Sequence, residues 1–212
     1  MWEDNILESL NWRYAVQKFD STKKVSQKHL DIFLESLRLT PSSFGLQPWK
    51  FLVIEDKKIK HKLLKHSYNQ QQIIDASHII VFCRKIIIDT VLVNDYIEDI
   101  IQQTWSSPSS LENYKKLMTK FISQLNWDDL KIWAEKQIYI ALWNALSNLA
   151  QLKIDSCPME WFSHTMYDEV LWLDKLWLTS VVILTIGYRD KEDSAAYKKK
   201  IRYQKEKIII NI

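Results

Sequence analysis

The amino-acid sequence predicts an α+β fold, one sheet surrounded by helices. Two observations carry this reading. The hydrophobic periodicity alternates along the chain between helical spacing and short apolar runs of strand length. The 212 residues also hold no internal repeat and no low-complexity linker, so one domain over 1–212 is the simplest organisation. With 47% hydrophobic and 26% charged residues the composition is that of a globular protein. A chain of this length buries roughly 70–75% of its unfolded surface and needs no disulfide framework.

The elements follow in order. Ser26 is placed as an N-cap, with Leu30, Phe33, Leu34 and Leu37 at helical spacing behind it. That helix ends at Thr40, because Pro41 disfavours a helical residue before it. Lys50 to Glu55 reads as a strand and leads into a short Lys-rich helix. His78 to Cys83 is continuously apolar after its first residue, as a buried central strand requires. Residues 88–104 and 109–125 read as helices, as does the longer stretch Ile132 to Leu152. In the latter, Ile132, Ala134, Ile138, Ala141, Leu142, Ala145 and Leu149 mark an apolar face wide enough for the centre of the molecule. A strand near Lys153–Cys157, a helix around Tyr167–Leu173 and a strand over Ser180–Ile186 complete the pattern. The run Lys207-Ile-Ile-Ile-Asn-Ile is an aggregation hazard if left free, so it either joins its own sheet or packs on a second subunit. The long polar stretch before it favours the second. The tryptophans are expected mostly in the core, with Trp49 packing at the start of its strand.

Counting excludes several chemistries. Average usage of about 7% would give roughly fifteen glycines; the chain has two, Gly45 and Gly187. A dinucleotide-binding glycine loop, a phosphate loop and a G-x-S-x-G nucleophile elbow each need at least two glycines close together. A bound phosphate must therefore be held by side chains, or by helix amides without such a loop. Cys83 and Cys157 form no C-x-x-C pair, and His61 and His66, five apart, share no helix face, so no metal site is expected. Cys83 reads as a small buried hydrophobe and His78 as a strand residue, neither with a catalytic role. Two cysteines without a framework suit a reducing cytoplasm. No amino-terminal stretch resembles a signal peptide. The most apolar segment, Leu178 to Tyr188, is too short to span a bilayer.

The net charge of +3 is local. Residues 189–207 hold eight Lys or Arg against four Asp or Glu, and the rest holds 21 against 22. This points to a local anion site or a solvated tail, not to a general nucleic-acid surface.

Four segments then stand together: Arg13-Tyr-Ala-Val-Gln-Lys-Phe-Asp20; Thr40-Pro-Ser-Ser-Phe-Gly-Leu-Gln-Pro-Trp49, running into a strand; Tyr68-Asn-Gln-Gln-Gln-Ile-Ile-Asp-Ala-Ser-His78; and Cys157-Pro-Met-Glu-Trp-Phe162, with Lys200-Ile-Arg202 further on. In order, spacing and wording they resemble the oxygen-insensitive NAD(P)H nitroreductase family of FMN enzymes, over nearly the whole chain. The resemblance implies a central mixed, mainly antiparallel sheet in an intertwined homodimer whose C-terminal tail reaches the partner subunit. FMN would bind at the dimer interface. Arg13, Lys200 and Arg202 would hold its phosphate, with Tyr14, Ala15, Gln17 and Gln72 beside the ring and tail. Pro41, Ser42, Ser43 and Gly45 would line the flavin edge from the partner's position. Asn69 would meet the pyrimidine end, and Pro158, Met159, Glu160 and Trp161 the other side, with the Glu160 N–H toward flavin N5. Phe121 would border the substrate. The implied activity is ping-pong hydride transfer from NADH or NADPH through the flavin to small oxidants such as nitroaromatics or quinones. It needs no catalytic side chain, since the chemistry belongs to the cofactor.

Departures from the family pattern cluster near the ring. Gln17 stands where relatives commonly carry a cation, and Gln72 replaces a lysine seen in some members. Ala15 replaces a common serine, and Trp161 a usual glycine. If residues 13–19 are extended, Arg13, Ala15 and Gln17 share a face and Lys18 points away. Two other readings stand beside the oxidoreductase: a flavin-binding homodimer with little turnover, which Gln17 and Trp161 would favour, and a nucleic-acid-binding protein resting on the basic tail alone.

Overall fold

The computed structural model describes residues 2–212, with side chains from residue 5 onward. Among the described residues eight α-helices surround a four-stranded sheet. The strands are β1 (Trp49–Ile54), β2 (His78–Lys85), β3 (Asp155–Met159) and β4 (Leu178–Gly187). Their order is β1-β2-β4-β3, and every neighbouring pair is antiparallel. The sheet is therefore not mixed as expected; its one parallel feature among the described residues is an isolated bridge between Ala15 and Ser156.

β2 and β4 take the centre because they are continuously apolar, and both are buried along nearly their whole length. Alternate residues serve opposite faces. Ile80, Phe82, Val182 and Leu184 pack beneath α2 (Gln27–Arg38) and α7 (Trp127–Gln151). Ile79, Val81 and Ile183 face Tyr167 and Leu173, from α8 (His164–Val170) and the turn after it. A third cluster, including Leu92, Val93, Met118 and Ile122, joins α5 (Thr90–Thr104) and α6 (Pro108–Gln124) to the first turns of α7. In β4 the register skips Val181: Phe82 pairs with Val182 and Cys83 with Ser180. Such a bulge bends the strand and re-aims its side chains.

The helix boundaries follow from their caps. The Ser26 hydroxyl accepts from the His29 N–H, as its spacing predicted. α3 (Lys57–Leu64) starts at Asp56, whose carboxylate accepts from Ile59 N, and α4 (Gln72–Asp75) is a single turn before β2. α7 begins earlier than Ile132 because the Asn126 side chain caps it and Asp128 and Asp129 favour its first turn. Ile132 itself is exposed: the apolar residues of α7 occupy two faces, and Ile132, Tyr139, Ile140 and Trp143 look outward. α1 (Trp2–Trp12) was not anticipated, since Ile6 and Leu7 lie exposed and leave no clear apolar stripe.

One alternative falls away and one further expectation changes. The terminal isoleucines join no strand of this sheet; Ile208, Ile209, Ile210 and Ile212 are exposed. Tryptophan is not mainly a core residue either. Trp49 and Trp133 are buried, whereas Trp105, Trp127, Trp143, Trp161, Trp172 and Trp177 are exposed. Three of these, Trp105, Trp172 and Trp177, occupy left-handed positions at the ends of helical turns, where most proteins place glycine. No helix among the described residues is long and apolar enough to cross a membrane.

Candidate functional site

The site is assembled on an extended amino-terminal arm. After α1 the chain crosses the end of β3: Val16 N donates to Ser156 O at 3.2 Å, and Phe19 bridges to Arg189. Val16 points into the core, so its neighbours Ala15 and Gln17 face the other way by strand alternation; Phe19 is buried as well, so the alternation does not run on past Lys18. Lys18 does not replace Gln17; its ammonium lies 2.5 Å from Glu192 and 3.9 Å from Asp190.

Two buried carboxylates fix this arm. Asp155 holds Arg189 through two side-chain contacts, of 2.6 and 2.8 Å, and accepts its backbone N–H at 2.7 Å. The guanidinium stacks on Trp12 and Tyr14. Asp193 accepts from Gln17 N, Lys18 N and the Tyr14 hydroxyl, at 2.9, 3.2 and 3.1 Å. Burial opposes ionisation of Asp193, but these bonds and one from Ala195 N hold its pKa below the usual carboxylate value. Tyr14 thus anchors the arm through Asp193. Asp193 gave no signal in the sequence, because it lies inside the basic run.

Beside the arm is a cleft of about 490 Å³. Ala15 and Gln17 line one side, Gln70 and Gln72 a second, and Pro158, Met159, Glu160 and Trp161 a third, with Leu142, Cys157 and Val182 beneath. Residues expected from three separate segments thus meet in one place. The Gln72 amide reaches Gln17 Oε1 at 3.4 Å, and the Gln17 amide donates to Ala15 O at 3.0 Å. The ladder of β3 ends at Met159, which leaves the Glu160 N–H beyond the sheet. Gln70 donates to Trp161 O at 2.8 Å, holding the turn that carries the exposed indole. Gln70, Leu142 and Cys157 were not foreseen; apart from the glutamine beside Asn69, their types do not separate them from core.

Three cations, Arg13, Lys200 and Arg202, lie close to one another. The Lys200 ammonium donates to the carbonyls of Leu10 and Arg13, tying the tail to the arm. The pKa of Lys200 is lowered by burial and by the charges of Arg13 and Arg202. That of Arg13 is lowered by burial and then by Arg202, with Cys157 acting oppositely. Arg13 Nε is buried with no hydrogen-bond acceptor. Among the described residues no ion pair to a carboxylate involves any of the three. Mutually repelling cations with an unmet buried donor fit an oxyanion better than an empty site.

The remaining candidates lie elsewhere in the chain. Pro41–Gly45 forms a turn against α6 and α7: Ser42 Oγ accepts from Gln47 N at 3.0 Å, and Ser43 N donates to Gln137 Oε1 at 2.8 Å. Gly45 has φ +73°, and a Cβ there would stand 2.2 Å from the Tyr96 hydroxyl oxygen. Its glycine is required by the turn. Phe121 lies with this turn rather than with the cleft, its ring centroid 5.1 Å from Phe44 and 5.8 Å from Trp133. Asn69, left-handed and exposed, sits just outside the cleft, which the next residue lines.

Fold and site together define an α+β protein with a cluster of three cations and a largely apolar cleft. The chain belongs to the nitroreductase family, whose model, described as Nitroreductase family, matches residues 10–188. A protein of Staphylococcus saprophyticus, provisionally named an NAD(P)H nitroreductase, is 34% identical to it over 98% of this chain and 96% of its own. One of Staphylococcus haemolyticus with the same provisional name is 36% identical, over 98% and 97%. Among solved structures, a provisionally assigned nitroreductase of Bacillus subtilis superposes with a TM-score of 0.88 at 18% identity, over 99% of this chain and 100% of that one. Another such nitroreductase, from Exiguobacterium sibiricum, solved in complex with FMN, has a TM-score of 0.83 at 18% identity, over 98% and 97%.

Proposed function

We propose that this single-domain chain is an FMN-dependent oxidoreductase that takes hydride from NADH or NADPH and passes it to small acceptors such as nitroaromatics or quinones, in ping-pong order. The observation that carries this reading is the group of three mutually close cations, Arg13, Lys200 and Arg202, with Arg13 near Cys157 of a cleft walled by Gln17, Gln72 and Pro158–Trp161. The donor set suits FMN. The cations match a phosphate dianion, the glutamine amides can bond ring oxygens, and Leu142, Pro158, Met159 and Val182 offer apolar surface to a flat ring. When bound, FMN supplies the hydride chemistry. The protein's part is to hold the phosphate with Arg13, Lys200 and Arg202, orient the ring with Gln17 and Gln72, and present the Glu160 N–H at the cleft wall.

The proposal includes a homodimer. The outward apolar face of α7 and the exposed isoleucine tail are the surfaces a second copy would cover. In the dimer the Pro41–Gly45 turn, with Phe121 behind it, would serve the partner's cleft, and Asn69 the chain's own. The family's relatives carry names of NAD(P)H nitroreductases, which supports the choice of reductant.

The first test is the visible spectrum of the purified protein, followed by NADH or NADPH added without oxygen. A flavin spectrum that bleaches within seconds is the expected result. A flavin that persists oxidised would favour the binding protein without turnover. A colourless protein that takes up no added FMN would overturn the flavin reading.

A further inference from the structure

A second cavity, of about 570 Å³, adjoins the cleft and shares Glu160 and Trp161 with it. Its other lining comes from β2, α7, the start of α8 and the bulge of β4. Arg84 is the unusual group. Its side chain is only 8% exposed, yet of five guanidinium donors one bonds, Nη1 to Lys85 O at 3.2 Å. The nearest carboxylate oxygen, on Glu135, is 3.4 Å from Nε but out of line for a hydrogen bond, and Nε is buried without an acceptor. A buried cation with unused donors is costly unless something completes its shell.

The surroundings are organised rather than solvated. Asp168 accepts from the Thr179 hydroxyl at 2.6 Å and from Ser180 N at 2.8 Å, pinning the bulge. Ser180 O lies 2.9 Å from His164 Nδ1; a carbonyl only accepts, so the proton sits on Nδ1. Lys131 adds a second cation. Of the two carboxylates here, Glu160 accepts from the Tyr139 hydroxyl, and Glu135 stands half-exposed in the place an incoming oxyanion would take beside Arg84. Trp161, 78% exposed and lining both spaces, offers a flat apolar surface between them.

We propose that this cavity is an anion subsite next to the cofactor cleft, in which Arg84 and Lys131 bind a carboxylate or phosphate of a reacting small molecule while its reactive part lies in the cleft. The proposal rests on the oxidoreductase reading for the identity of that molecule. Arg84 is then a specificity-determining residue: it selects anionic reactants over neutral ones of the same shape, and Glu135 competes with them for it.

The test has two readouts. Steady-state kinetics of the flavin-loaded enzyme compare 4-nitrobenzoate with nitrobenzene as acceptors and determine the KM of NADH separately. Calorimetric titration with benzoate, which cannot be reduced, measures the subsite without turnover. The wild type should bind benzoate and show a KM for 4-nitrobenzoate about tenfold or more below that for nitrobenzene, as one charge-assisted pair allows. Lys131→Gln and Arg84→Gln should shrink that ratio and weaken benzoate binding. Glu135→Gln should strengthen both and leave the nitrobenzene KM in place. Should Arg84→Gln fail to fold, the opposed responses of Lys131→Gln and Glu135→Gln decide. If the substitutions change the KM of NADH alone, the oxyanion is a phosphate of the reductant. Equal KM values for the two acceptors, together with no response of NADH or benzoate to any substitution, would overturn the subsite. A colourless protein that takes up no added FMN yet still binds benzoate through Arg84 would instead overturn the oxidoreductase reading and leave the subsite standing.

Discussion

If the cleft holds FMN as proposed, Gln17 is the residue whose charge bears most directly on its chemistry. A charged donor in its place would be worth roughly 1 kcal/mol more than a neutral one. For a two-electron couple this is about 20 mV, taking 30 mV per 1.4 kcal/mol. Gln17→Lys is therefore expected to raise the potential of the bound flavin by about 20 mV, read by spectroelectrochemistry. Lys60 offers a prediction of another kind. It lies on the buried face of α3 and donates to Ala76 O at 2.5 Å and Ser77 O at 3.1 Å. Burial, with Lys24 adding, lowers its pKa from 10.5 to about 8. Between those values the unfolded chain binds more protons than the folded one, so this group's contribution makes stability rise with pH, by up to about 3 kcal/mol. Lys60→Met should flatten that rise, seen as a smaller gain in thermal midpoint between pH 8 and pH 10 than in the wild type. At this scale the sequence was legible where a residue type is scarce or repeated in pattern. Scarcity singles out Gly45 and Gly187, whereas Arg13, Gln17 and Pro158–Trp161 are named through the family resemblance. Lys60 and Arg84 could not be named in advance, because a lysine in a Lys-rich helix and an arginine at a strand end read as surface until packing shows otherwise.

At the scale of elements, the shortage of glycine shapes the ends of helices. Among the described residues eight non-glycine residues have positive φ, including Trp105 at the end of α5 and Tyr68 and Asn69 after α3. A side chain in that conformation costs roughly 1–2 kcal/mol. Trp105 is 91% exposed and forfeits little packing, so Trp105→Gly should stabilise the protein by about 1 kcal/mol in urea unfolding, with an unchanged m-value. Gly45→Ala should do the reverse, losing about 1–2 kcal/mol, because Tyr96 must move and the left-handed backbone must be kept. Strands and most helices were legible because apolar runs and caps are local signals: Ser26 caps α2 as read, and β2 is central as read. α1 and the first turn of α7 were not. The first lacks a buried stripe, and the second starts at Asn126, ahead of the apolar residues that drew attention.

At the scale of the molecule, the open question is the second copy. The outward face of α7, with Ile132, Ile140 and Trp143, and the tail from Ile208 expose large apolar side chains that the proposed second copy would cover. Sedimentation should give twice the chain mass of 25.4 kDa, and the thermal midpoint should rise with protein concentration. Trp143→Glu should shift the species toward one chain and weaken FMN retention with it; a wild type that sediments as one chain at micromolar concentration would refute the dimer. The α+β class was legible from alternating periods, but strand order was not. Pairing is decided by which apolar faces meet across long sequence distances, and the direction of a neighbouring strand leaves no mark on periodicity. The grouping of Arg13 with Lys200 and Arg202 was legible only through family resemblance, since nothing local joins residues so far apart.

The wall of the cleft carries a thiol, and its state bears on how long such an enzyme lasts. Quinones are electrophiles that add to thiolates and leave a dead adduct. Burial pushes the pKa of Cys157 up to about 11, with Asp193 adding and Arg13 opposing, so at neutral pH the sulfur keeps its proton and is a poor nucleophile. If quinones are acceptors as proposed, an electrophile entering the cleft would meet a protonated, slowly reacting sulfur rather than a thiolate.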